Sequence, residues 1–201
     1  MNNKISLVKH AEVYYYNNFL TEEESNELFD ELNNLEINRH TYNNRLLGRH
    51  TAVFGNKELL SNVPPKIWGD NAKIEVFTPI LRKVLNKTSE FLGINFNICL
   101  VNSYETGKNY IGWHSDNEEK GSKYLIASIS LGAERKFSFL YKNRKLGDED
   151  ERVVKKLENG SLLVMKHPCQ DNYLHSLLQD KKIKSKRINL TFREFHYNNF
   201  L

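Results

Sequence analysis

Two histidines and one aspartate have the residue types and spacing of a metal site. His114 and Asp116 stand two residues apart in YIGWHSD, which has the composition of a strand, so their side chains face the same side of a sheet. His175 stands in the otherwise apolar run YLHSLLQ. Two imidazoles and one carboxylate on the inner face of a barrel can bind non-haem Fe(II) and leave coordination positions free. The ordinary alternatives are a surface pair for His114 and Asp116 and a hydrogen-bonded core histidine for His175.

The last apolar run of the chain carries polar side chains at every second position. In RINLTFREF a strand would place four of them on one face: Arg187, Asn189, Thr191 and Arg193. Asn102 and Tyr104 have the same spacing in FNICLVNSYE. A face turned to water is the ordinary explanation for a terminal strand. On facing inner strands of a barrel, however, these side chains would form a pocket for a small dicarboxylate.

Two segments carry the capping signals of amphipathic helices. Thr21 can accept hydrogen bonds from the first helical amides, and Glu24 completes a capping box ahead of apolar residues at helical spacing. Thr78 precedes Pro79 at the start of a second apolar pattern, and Gly93 is placed to end it. Both predicted helices have an apolar face and therefore cover another part of the fold.

From about residue 95 the hydrophobic period changes from 3.6 to 2. Seven runs follow one another: FNICLVNSYE, YIGWHSD, KYLIASISLG, KFSFLYK, SLLVMKH, YLHSLLQ and RINLTFREF. Seven strands after two helices predict an α+β fold that is mainly β, a double-stranded β-helix (jelly-roll) barrel with N-terminal covering helices. With 201 residues, of which 39% are hydrophobic, residues 1–201 are expected to form a single domain.

Charge and cysteine content narrow the class of protein. The formal net charge is +4, and residues 151–201 carry 10 basic and 5 acidic side chains, so a polyanion contact should concentrate there. Cys99 and Cys169 are too few for a disulfide framework, which indicates a reducing compartment. The chain has neither a membrane-length apolar run nor a signal-peptide pattern. We expect a soluble intracellular monomer without membrane contact, nuclear if eukaryotic and otherwise cytoplasmic.

The motifs taken together resemble one family. NSYETGKNYIGWHSD, SISLGAERKFSF, GSLLVMKHP, YLHSL and RINLTFR follow in the order typical of the AlkB family of Fe(II)- and 2-oxoglutarate-dependent dioxygenases, and are most similar to its DNA-repair animal homologues. Upstream, GRHTAVFGN resembles that group's Pro-Arg-x-x-Ala-x-Tyr-Gly-Asp segment, with Gly48, Phe54 and Asn56 as departures. The resemblance covers about residues 45–195. It implies a nucleotide-recognition lid within residues 1–93, beside the helices and an N-terminal extension, and a jelly-roll dioxygenase core at 94–201.

The resemblance assigns roles around the metal. His114, Asp116 and His175 would bind Fe(II) and form the catalytic centre. Arg187 would pair with the distal carboxylate of 2-oxoglutarate, a bidentate contact that Lys makes less well. Four more residues would line the co-substrate pocket: Asn102, Tyr104, Asn189 and Arg193. Molecular oxygen would be the second co-substrate, and ascorbate is expected to support the reaction in vitro.

The resemblance also implies alkylated DNA or RNA as the partner. Glu118 would read the exocyclic amine of the damaged base, although an exposed loop carboxylate is its ordinary alternative. Trp68 would stack on the flipped base or be a core residue. Arg49 would help to hold the lid or form a structural salt bridge. Lys181 and Lys182 match a loop that contacts the duplex backbone, so affinity should fall with salt.

Two further groups of residues are candidate contacts to nucleic acid. Arg135, Lys142, Arg144 and Lys145 could extend the basic footprint around the barrel rim. The duplex-acting homologues carry an apolar finger upstream of the Pro-Arg segment, whereas NRHTYNNRLLGR is polar, and Tyr42 is its best candidate wedge. Single-stranded DNA and RNA therefore stay open as substrates.

The sequence thus predicts an oxidative demethylase that repairs 1-methyladenine and 3-methylcytosine in nucleic acid and releases formaldehyde. The same chemistry on RNA is an alternative. A catalytically silent nucleic-acid-binding module is another, but it has no need for the three metal residues together with Arg187. An oxygenase that acts on proteins or small molecules is a further alternative, but it would not explain the basic cluster from Lys181 to Arg187.

Overall fold

The computed structural model describes residues 5–6, 8–35, 37, 39–42, 44–57, 59, 73–116, 125–144 and 152–195. The two longer helices begin where the capping signals place them. Helix α1 (Glu22–Asn33) has Thr21 and Glu24 in a reciprocal capping box. Helix α2 (Pro79–Leu92) is capped by the Thr78 side chain and ends at Gly93, whose φ of 67° is left-handed. A third helix, α3 (Cys169–Asn172), spans a single turn that the sequence does not signal.

The strands that the structure describes account for most of the remaining chain. In order they are β1 (Ile5–Ser6), β2 (Val13–Tyr16), β3 (Thr41–Tyr42), β4 (Arg45–Leu46), β5 (His50–Gly55), β6 (Ile74–Val76), β7 (Ile98–Tyr104), β8 (Ile111–His114), β9 (Leu125–Gly132), β10 (Arg135–Tyr141), β11 (Arg152–Leu157), β12 (Ser161–Lys166), β13 (Tyr173–Leu177) and β14 (Arg187–Arg193).

Two sheets form the barrel. The larger has eight strands in the order β1-β2-β12-β9-β14-β7-β5-β6, and the smaller has four in the order β11-β10-β13-β8. Every pairing is antiparallel except β5 with β6. Strands β3 and β4 form a separate two-stranded hairpin. The mainly β jelly-roll fold predicted from sequence is confirmed.

The helices cover the outer face of the larger sheet. Leu28 and Leu32 of α1 and Leu81 and Leu85 of α2 belong to one buried cluster with apolar residues of β7, β9 and β14. On β14 these apolar residues are Ile188, Leu190 and Phe192, which alternate with the polar set. Because successive strand residues point to opposite faces, burial of the apolar set against the helices turns the polar set into the barrel.

The strand prediction was right for the seven apolar runs and incomplete elsewhere. Strand β11 was missed because RVVKKL places like residues side by side and lacks strict alternation. Strands β2 and β5 of the N-terminal third lie within the larger sheet, beside β12 and β7. The part of the chain before β7 therefore supplies strands of the larger sheet as well as the two covering helices.

None of the helices in the described part of the chain is long and apolar enough to cross a membrane.

Candidate active site

The structure brings His114, Asp116 and His175 together. One ligand atom from each lies within 4.8 Å of the others. His114 Nε2 is 3.6 Å from one carboxylate oxygen of Asp116, and His175 Nε2 is 3.7 Å from the other. Two imidazole nitrogens and a carboxylate that converge in this way form the donor set of a non-haem Fe(II) centre.

Strand pairing explains how residues so distant in sequence meet. His175 lies in the middle of β13 and is the register partner of His114, the last residue of β8. Asp116 lies two residues beyond the end of β8. Nδ1 of His114 is 2.8 Å from the carbonyl oxygen of Gly112, and donation of its proton there leaves the Nε2 lone pair available to a metal.

The protonation states also suit a metal site. Burial alone would raise the pKa of Asp116, but nearby positive charge, that of Arg193 above all, lowers it to about 2. The Arg193 guanidinium is 3.2 Å from this carboxylate. Burial lowers the pKa of His175 to about 3, against the opposing charge of Asp116. At neutral pH the site therefore offers a carboxylate and a neutral imidazole, the forms that metals bind.

A second set of residues, which sequence reasoning missed, holds the backbone at Asp116. Gln170, buried in α3, accepts a hydrogen bond from the Asp116 amide at 3.0 Å. Lys142 Nζ joins the same two segments, since it donates to the Gln170 carbonyl at 2.8 Å and to Ser115 Oγ at 2.9 Å. Neither Gln170 nor Ser115 has a pattern in the sequence that would single it out.

A pocket lined in part by His114, Asp116 and His175 lies between the two sheets. Its lining residues come from both sheets and from the segment before β5: Arg49, Leu100, Asn102, Tyr104, Ile111, His114, Asp116, Ser128, Phe137, Met165, His175, Asn189, Thr191 and Arg193. Most of the residues predicted to surround a co-substrate therefore do line one cavity next to the triad.

The polar face of β14 lies in register with that of β7. Arg187 is opposite Tyr104, and Asn189 is opposite Asn102. These strands are neighbours in the larger sheet, not facing strands across the barrel as the sequence reading supposed. On the other side of β14 lies β9, whose Ser128 accepts a hydrogen bond from Asn189 Nδ2 at 2.8 Å. The alternating serines of SISLG were the sequence signal for this third polar row.

Arg187 is a buried cation. It is 2% exposed, and Nη2 donates to Ser130 Oγ at 2.9 Å. Its Nε has no hydrogen-bond partner among the described residues, and burial lowers its pKa to about 10, so it stays charged at neutral pH. Arg187 does not itself line the pocket; its guanidinium lies 5.3 Å from the centre of the Tyr104 ring, which does. A buried guanidinium with a free donor fits an incoming carboxylate.

Arg49 enters the pocket. Its Nε donates to Asn102 Oδ1 at 2.5 Å, which links the segment before β5 to the polar face of β7. The ordinary alternative for Arg49, a structural salt bridge, is thus replaced by a hydrogen bond to a neutral amide inside the site.

The residues predicted to contact nucleic acid are spread more widely. Lys181 and Lys182 are exposed on the loop between β13 and β14. Backbone hydrogen bonds from Gly107 to Ile183 and from Asp180 to Gly107 fix this loop to the turn after β7. Tyr42 lies in the β3–β4 hairpin, but its side chain is outside the described part of the chain, as are Glu118 and Trp68.

One proposed basic contact is wrong. Arg135 is 1% exposed, and its guanidinium donates to the backbone carbonyls of Thr106, Asn109 and Leu178. A cation buried in this way ties loops together and cannot reach a phosphate outside. Lys142 is committed to Gln170 and Ser115, whereas Arg144 is exposed, and Lys145 lies outside the described residues.

Comparisons with known proteins agree with this geometry. The family model described as the 2OG-Fe(II) oxygenase superfamily matches residues 12–193. DNA oxidative demethylase ALKBH2 of Bos taurus is 41% identical over 122 residues, which cover 58% of this chain and 43% of that protein. Alpha-ketoglutarate-dependent dioxygenase alkB homolog 3 of Homo sapiens is 37% identical over 120 residues, or 57% and 42% of the two chains.

Solved structures show the same fold. The structure of OsALKBH1 superposes with a TM-score of 0.62 at 21% identity and covers 90% of this chain and 97% of that one. A prolyl hydroxylase from Trichoplax adhaerens, in complex with a hypoxia inducible factor peptide fragment, gives 0.61 at 14% identity and covers 93% and 84%.

The chain belongs to the 2OG-Fe(II) oxygenase superfamily, and the bovine and human relatives that it resembles are AlkB homologues. The matched region spans less than half the length of the bovine and human relatives described above. Family membership and the His-Asp-His triad together support Fe(II) and 2-oxoglutarate as the metal and co-substrate.

Proposed function

We propose that this protein is an Fe(II)- and 2-oxoglutarate-dependent demethylase of N-alkylated bases in nucleic acid. The observation that carries the proposal is the meeting of two features in one cavity. The His-Asp-His triad lines the same pocket as Asn189, Thr191 and Arg193 of β14, although the two histidines and β14 belong to different sheets. A metal at the triad and a dicarboxylate along β14 would therefore be neighbours.

The residues of the chain divide the work of holding these groups. His114, Asp116 and His175 hold the metal, and Arg193 balances the charge of Asp116. Arg187 pairs with the distal carboxylate of 2-oxoglutarate, and Asn102, Tyr104 and Asn189 orient the molecule. When bound, the metal, 2-oxoglutarate and O₂ supply the oxidation that converts an N-methyl group to formaldehyde and restores the base. Ascorbate would keep the metal reduced in vitro.

Apolar side chains line part of the pocket beside the metal residues. Phe137 packs against His175 with ring centroids 5.4 Å apart, and Leu100, Ile111 and Met165 add apolar lining. An apolar surround limits side reactions and leaves the polar groups of β7 and β14 to set the orientation of the co-substrate.

The proposal of nucleic acid as the substrate is supported by the names of the relatives and by exposed cations. The bovine relative is named a DNA oxidative demethylase. A methylated ring nitrogen inside a duplex cannot reach a buried metal, so the base must be flipped or already unpaired. Lys181 and Lys182 are placed on an exposed, anchored loop where phosphates could bind. We propose that Trp68 stacks on the flipped base, Glu118 reads its exocyclic amine, Arg49 closes the site and Tyr42 fills the gap.

The decisive experiment is a demethylation assay. The protein is incubated with Fe(II), ascorbate, 2-oxoglutarate and oligonucleotides that carry 1-methyladenine or 3-methylcytosine, as single-stranded DNA, duplex DNA or RNA. Mass spectrometry of the bases and measurement of formaldehyde follow. Loss of the methyl group is expected, and its absence from all substrates while 2-oxoglutarate binds would refute the proposal. The rates on the three substrates also decide between DNA repair and the RNA alternative.

Two sets of variants locate the activity. Asp116→Ala and His175→Ala each remove a metal ligand and are expected to abolish turnover. Lys181→Ala combined with Lys182→Ala is expected to weaken duplex binding and to leave turnover of bound substrate intact. If the double variant binds duplex as well as the unchanged protein at every salt concentration, these lysines do not contact the backbone.

A further inference from the structure

An exposed tryptophan lies on the outer face of the smaller sheet, next to the metal site but on the other side of the strand. Trp113 precedes His114 in β8 and is 36% exposed. The Arg152 guanidinium lies over its ring, 5.6 Å from the centroid. We call Trp113 and Arg152 the outer platform. Nothing in the proposed chemistry of the pocket uses either residue.

The register of the smaller sheet explains how Arg152 reaches across to Trp113. Phe137, Phe139 and His175 face the interior, so the alternate residues face outward. Outward-facing Ser138 pairs with Ser176, and both side chains are small. Arg152 extends over Ser138, to which its Nη2 donates at 3.1 Å, and so spans from β11 towards β8. The platform is thus held by a hydrogen bond and a cation–π contact.

The charged side chains within the strands of the smaller sheet are basic. The strands β8, β10, β11 and β13 contain no Asp or Glu. On the outward face, Lys136 and Lys156 are exposed and stand opposite each other, and Lys156 also contacts Glu134 outside the strands. Arg152 therefore places a cation over one exposed aromatic ring, and Lys136 and Lys156 add basic side chains to the same face of the sheet, an arrangement complementary to a polyanion with flat bases.

The platform lies beside the pocket. Trp113 and His114 are consecutive residues whose side chains occupy opposite faces of β8. Strand β8 is an edge strand of the smaller sheet. Beside them, a Cβ added at Gly112 would meet nothing within 4 Å. A strand that places one base in the pocket can therefore pass over β8 and present a neighbouring base to Trp113.

We propose that the outer platform binds a base and an adjacent phosphate of single-stranded nucleic acid that flanks the nucleotide in the active site. The indole supplies a stacking surface that accepts any base, and Arg152 pairs with the phosphate. This inference rests on the proposed nucleic-acid substrate and adds a preference for unpaired strands, because a paired base has no free face to stack on Trp113.

A purely structural role for the pair predicts different behaviour. Ser138 and Ser176 are buried beneath the outward face, and Arg152 with Trp113 could simply shield them from water. Replacement of either residue would then lower thermal stability without changing the affinity for oligonucleotides. Binding and unfolding must therefore be measured on the same variants.

Fluorescence reports on the platform directly, because the chain has only two tryptophans. In Trp68→Phe the emission comes from Trp113 alone. We expect an unmodified pentathymidylate to quench it saturably, and the double variant Trp68→Phe with Trp113→Phe supplies the background. Binding of the pentamer, seen by anisotropy, without any change in Trp113 emission would overturn the inference.

Affinities test the energetic contribution in the otherwise unchanged protein. Trp113→Ala is expected to weaken binding of a labelled pentamer roughly 5- to 100-fold. It should leave binding of a single methylated nucleotide unchanged, since one nucleotide occupies only the pocket. Arg152→Met should lower the slope of log affinity against log salt by about 0.7, whereas Lys73→Met, at the β6 edge of the larger sheet, should not. Unchanged pentamer affinity in Trp113→Ala refutes the platform.

The result is separable from the test of the proposed function. If the protein demethylates no base but Trp113 is quenched and its loss weakens pentamer binding, the platform stands and the proposed activity fails. If demethylation occurs while the pentamer affinity is unchanged in the Trp113 and Arg152 variants, the proposed activity is supported and the platform is refuted.

Discussion

The buried guanidinium of Arg187 is the residue feature that bears most directly on the proposed co-substrate. It is buried inside the barrel, bonded to Ser130, and keeps a free donor at Nε among the described residues. A buried cation of this kind is costly unless an anion completes it. In the proposed function the dicarboxylate co-substrate supplies that anion, so the stability of the occupied site and the selection of the co-substrate would have the same physical origin.

We therefore expect replacement of Arg187 to reduce the affinity for 2-oxoglutarate and to leave the affinity for the metal unchanged. Arg187→Met should weaken the binding of 2-oxoglutarate by about 30-fold or more, because a buried charge pair is worth roughly 2–5 kcal/mol. The affinity of Arg187→Lys should lie between those of the unchanged protein and Arg187→Met, since an ammonium cannot pair in the same planar, bidentate manner. Titration calorimetry with Mn(II) in place of Fe(II) measures both constants. A similar 2-oxoglutarate affinity in all three proteins would contradict the assignment.

Gln170 is expected to act on the metal through the backbone of Asp116. It accepts the Asp116 amide proton, and loss of this contact frees the carboxylate to leave the orientation shared by His114 and His175. Gln170→Leu should weaken Co(II) binding about tenfold, the lower end of the range for outer residues around a metal. The visible spectrum of bound Co(II) should change too, which a general loss of stability would not cause.

Gln179→Leu is the matched control, because Gln179 is an exposed glutamine whose Nε2 donates to the Lys108 carbonyl, away from Asp116. Its Co(II) affinity and spectrum should equal those of the unchanged protein. If Gln170→Leu also leaves both unchanged, the Asp116 backbone needs no support from α3.

At this scale, the sequence predicts side chains that belong to a pattern and misses those that do not. His114, Asp116 and the polar face of β14 follow the two-residue period of a strand, which fixes the face on which each lies. Gln170 and Lys142 reach Asp116 from an isolated turn and from the end of β10, and no period connects them. Arg135 was assigned to the surface for the same reason, since a charged residue's burial depends on carbonyls that only the folded loops supply.

Among the elements, helix α1 combines a capping box at its start with an ion pair to helix α2. Thr21 and Glu24 bond each other's amides at 2.9 and 3.1 Å, and Glu24 also contacts Lys87 of α2 at 2.6 Å. A capping box visible in sequence is thus also the ionic link between the two covering helices. The sequence showed the cap, but the link depends on how the helices pack and could not be read from spacing.

We expect the Glu24 contribution to stability to depend on pH. Burial opposes ionisation, but the hydrogen bonds from Lys87 and Thr21 outweigh it and lower the Glu24 pKa below its ordinary value. A lowered pKa in the folded state means that the stabilisation is fully present above pH 4.5 and is lost as the pH falls through the folded value. Glu24→Gln should lower the free energy of unfolding by about 1 kcal/mol at pH 7.

Urea unfolding at pH 7 and at pH 3 tests this sign. The difference between Glu24→Gln and the unchanged protein should shrink at the lower pH. Glu23→Gln is the control, because Glu23 is an exposed first-turn residue of the same helix and lies outside the capping box. A difference for Glu24→Gln that grows as the pH falls would show that the carboxylate is not stabilised by its ionised contacts.

The predictability of the elements follows their periodicity. The seven runs with a clear period of two are strands, and the two capped patterns are helices. The tyrosines of β2 (VYYY) and the doubled residues of β11 (RVVKKL) do not alternate, so their pairing with β12 and β10 is decided by partners far along the chain. The single turn α3 is fixed by its contacts with β12 and β13 and lacks the length that a helical period needs.

For the whole molecule, the position of charge matters more than the net value of +4. Of the C-terminal excess, Arg187 and Arg193 are buried in the barrel, where Arg193 balances Asp116 and Arg187 is proposed to pair with a dicarboxylate. Lys181, Lys182 and Arg152 are among the exposed cations that could contact nucleic acid. Binding should therefore be modest and strongly dependent on salt.

The buried charges also link the co-substrate to global stability. Asp116, Arg187 and Arg193 lie between two sheets that unfold together if the domain is cooperative, and ligands that bind only the folded state then raise the melting temperature. Mn(II) and 2-oxoglutarate, each at about 100 times its dissociation constant, should add about 2.7 kcal/mol apiece. In a chain of 201 residues this corresponds to roughly 5–10 °C for each ligand.

Scanning fluorimetry of three proteins separates the two increments. The unchanged protein should gain from Mn(II) and again from 2-oxoglutarate. Arg187→Met should keep the gain from Mn(II) and lose that from 2-oxoglutarate, while His175→Ala should lose the Mn(II) gain because a ligand to the metal is missing. Since 2-oxoglutarate is proposed to bind beside the metal, its increment should also shrink in His175→Ala. Equal gains from 2-oxoglutarate in all three proteins would mean that it binds away from both the triad and β14, and the shared pocket would not be its site.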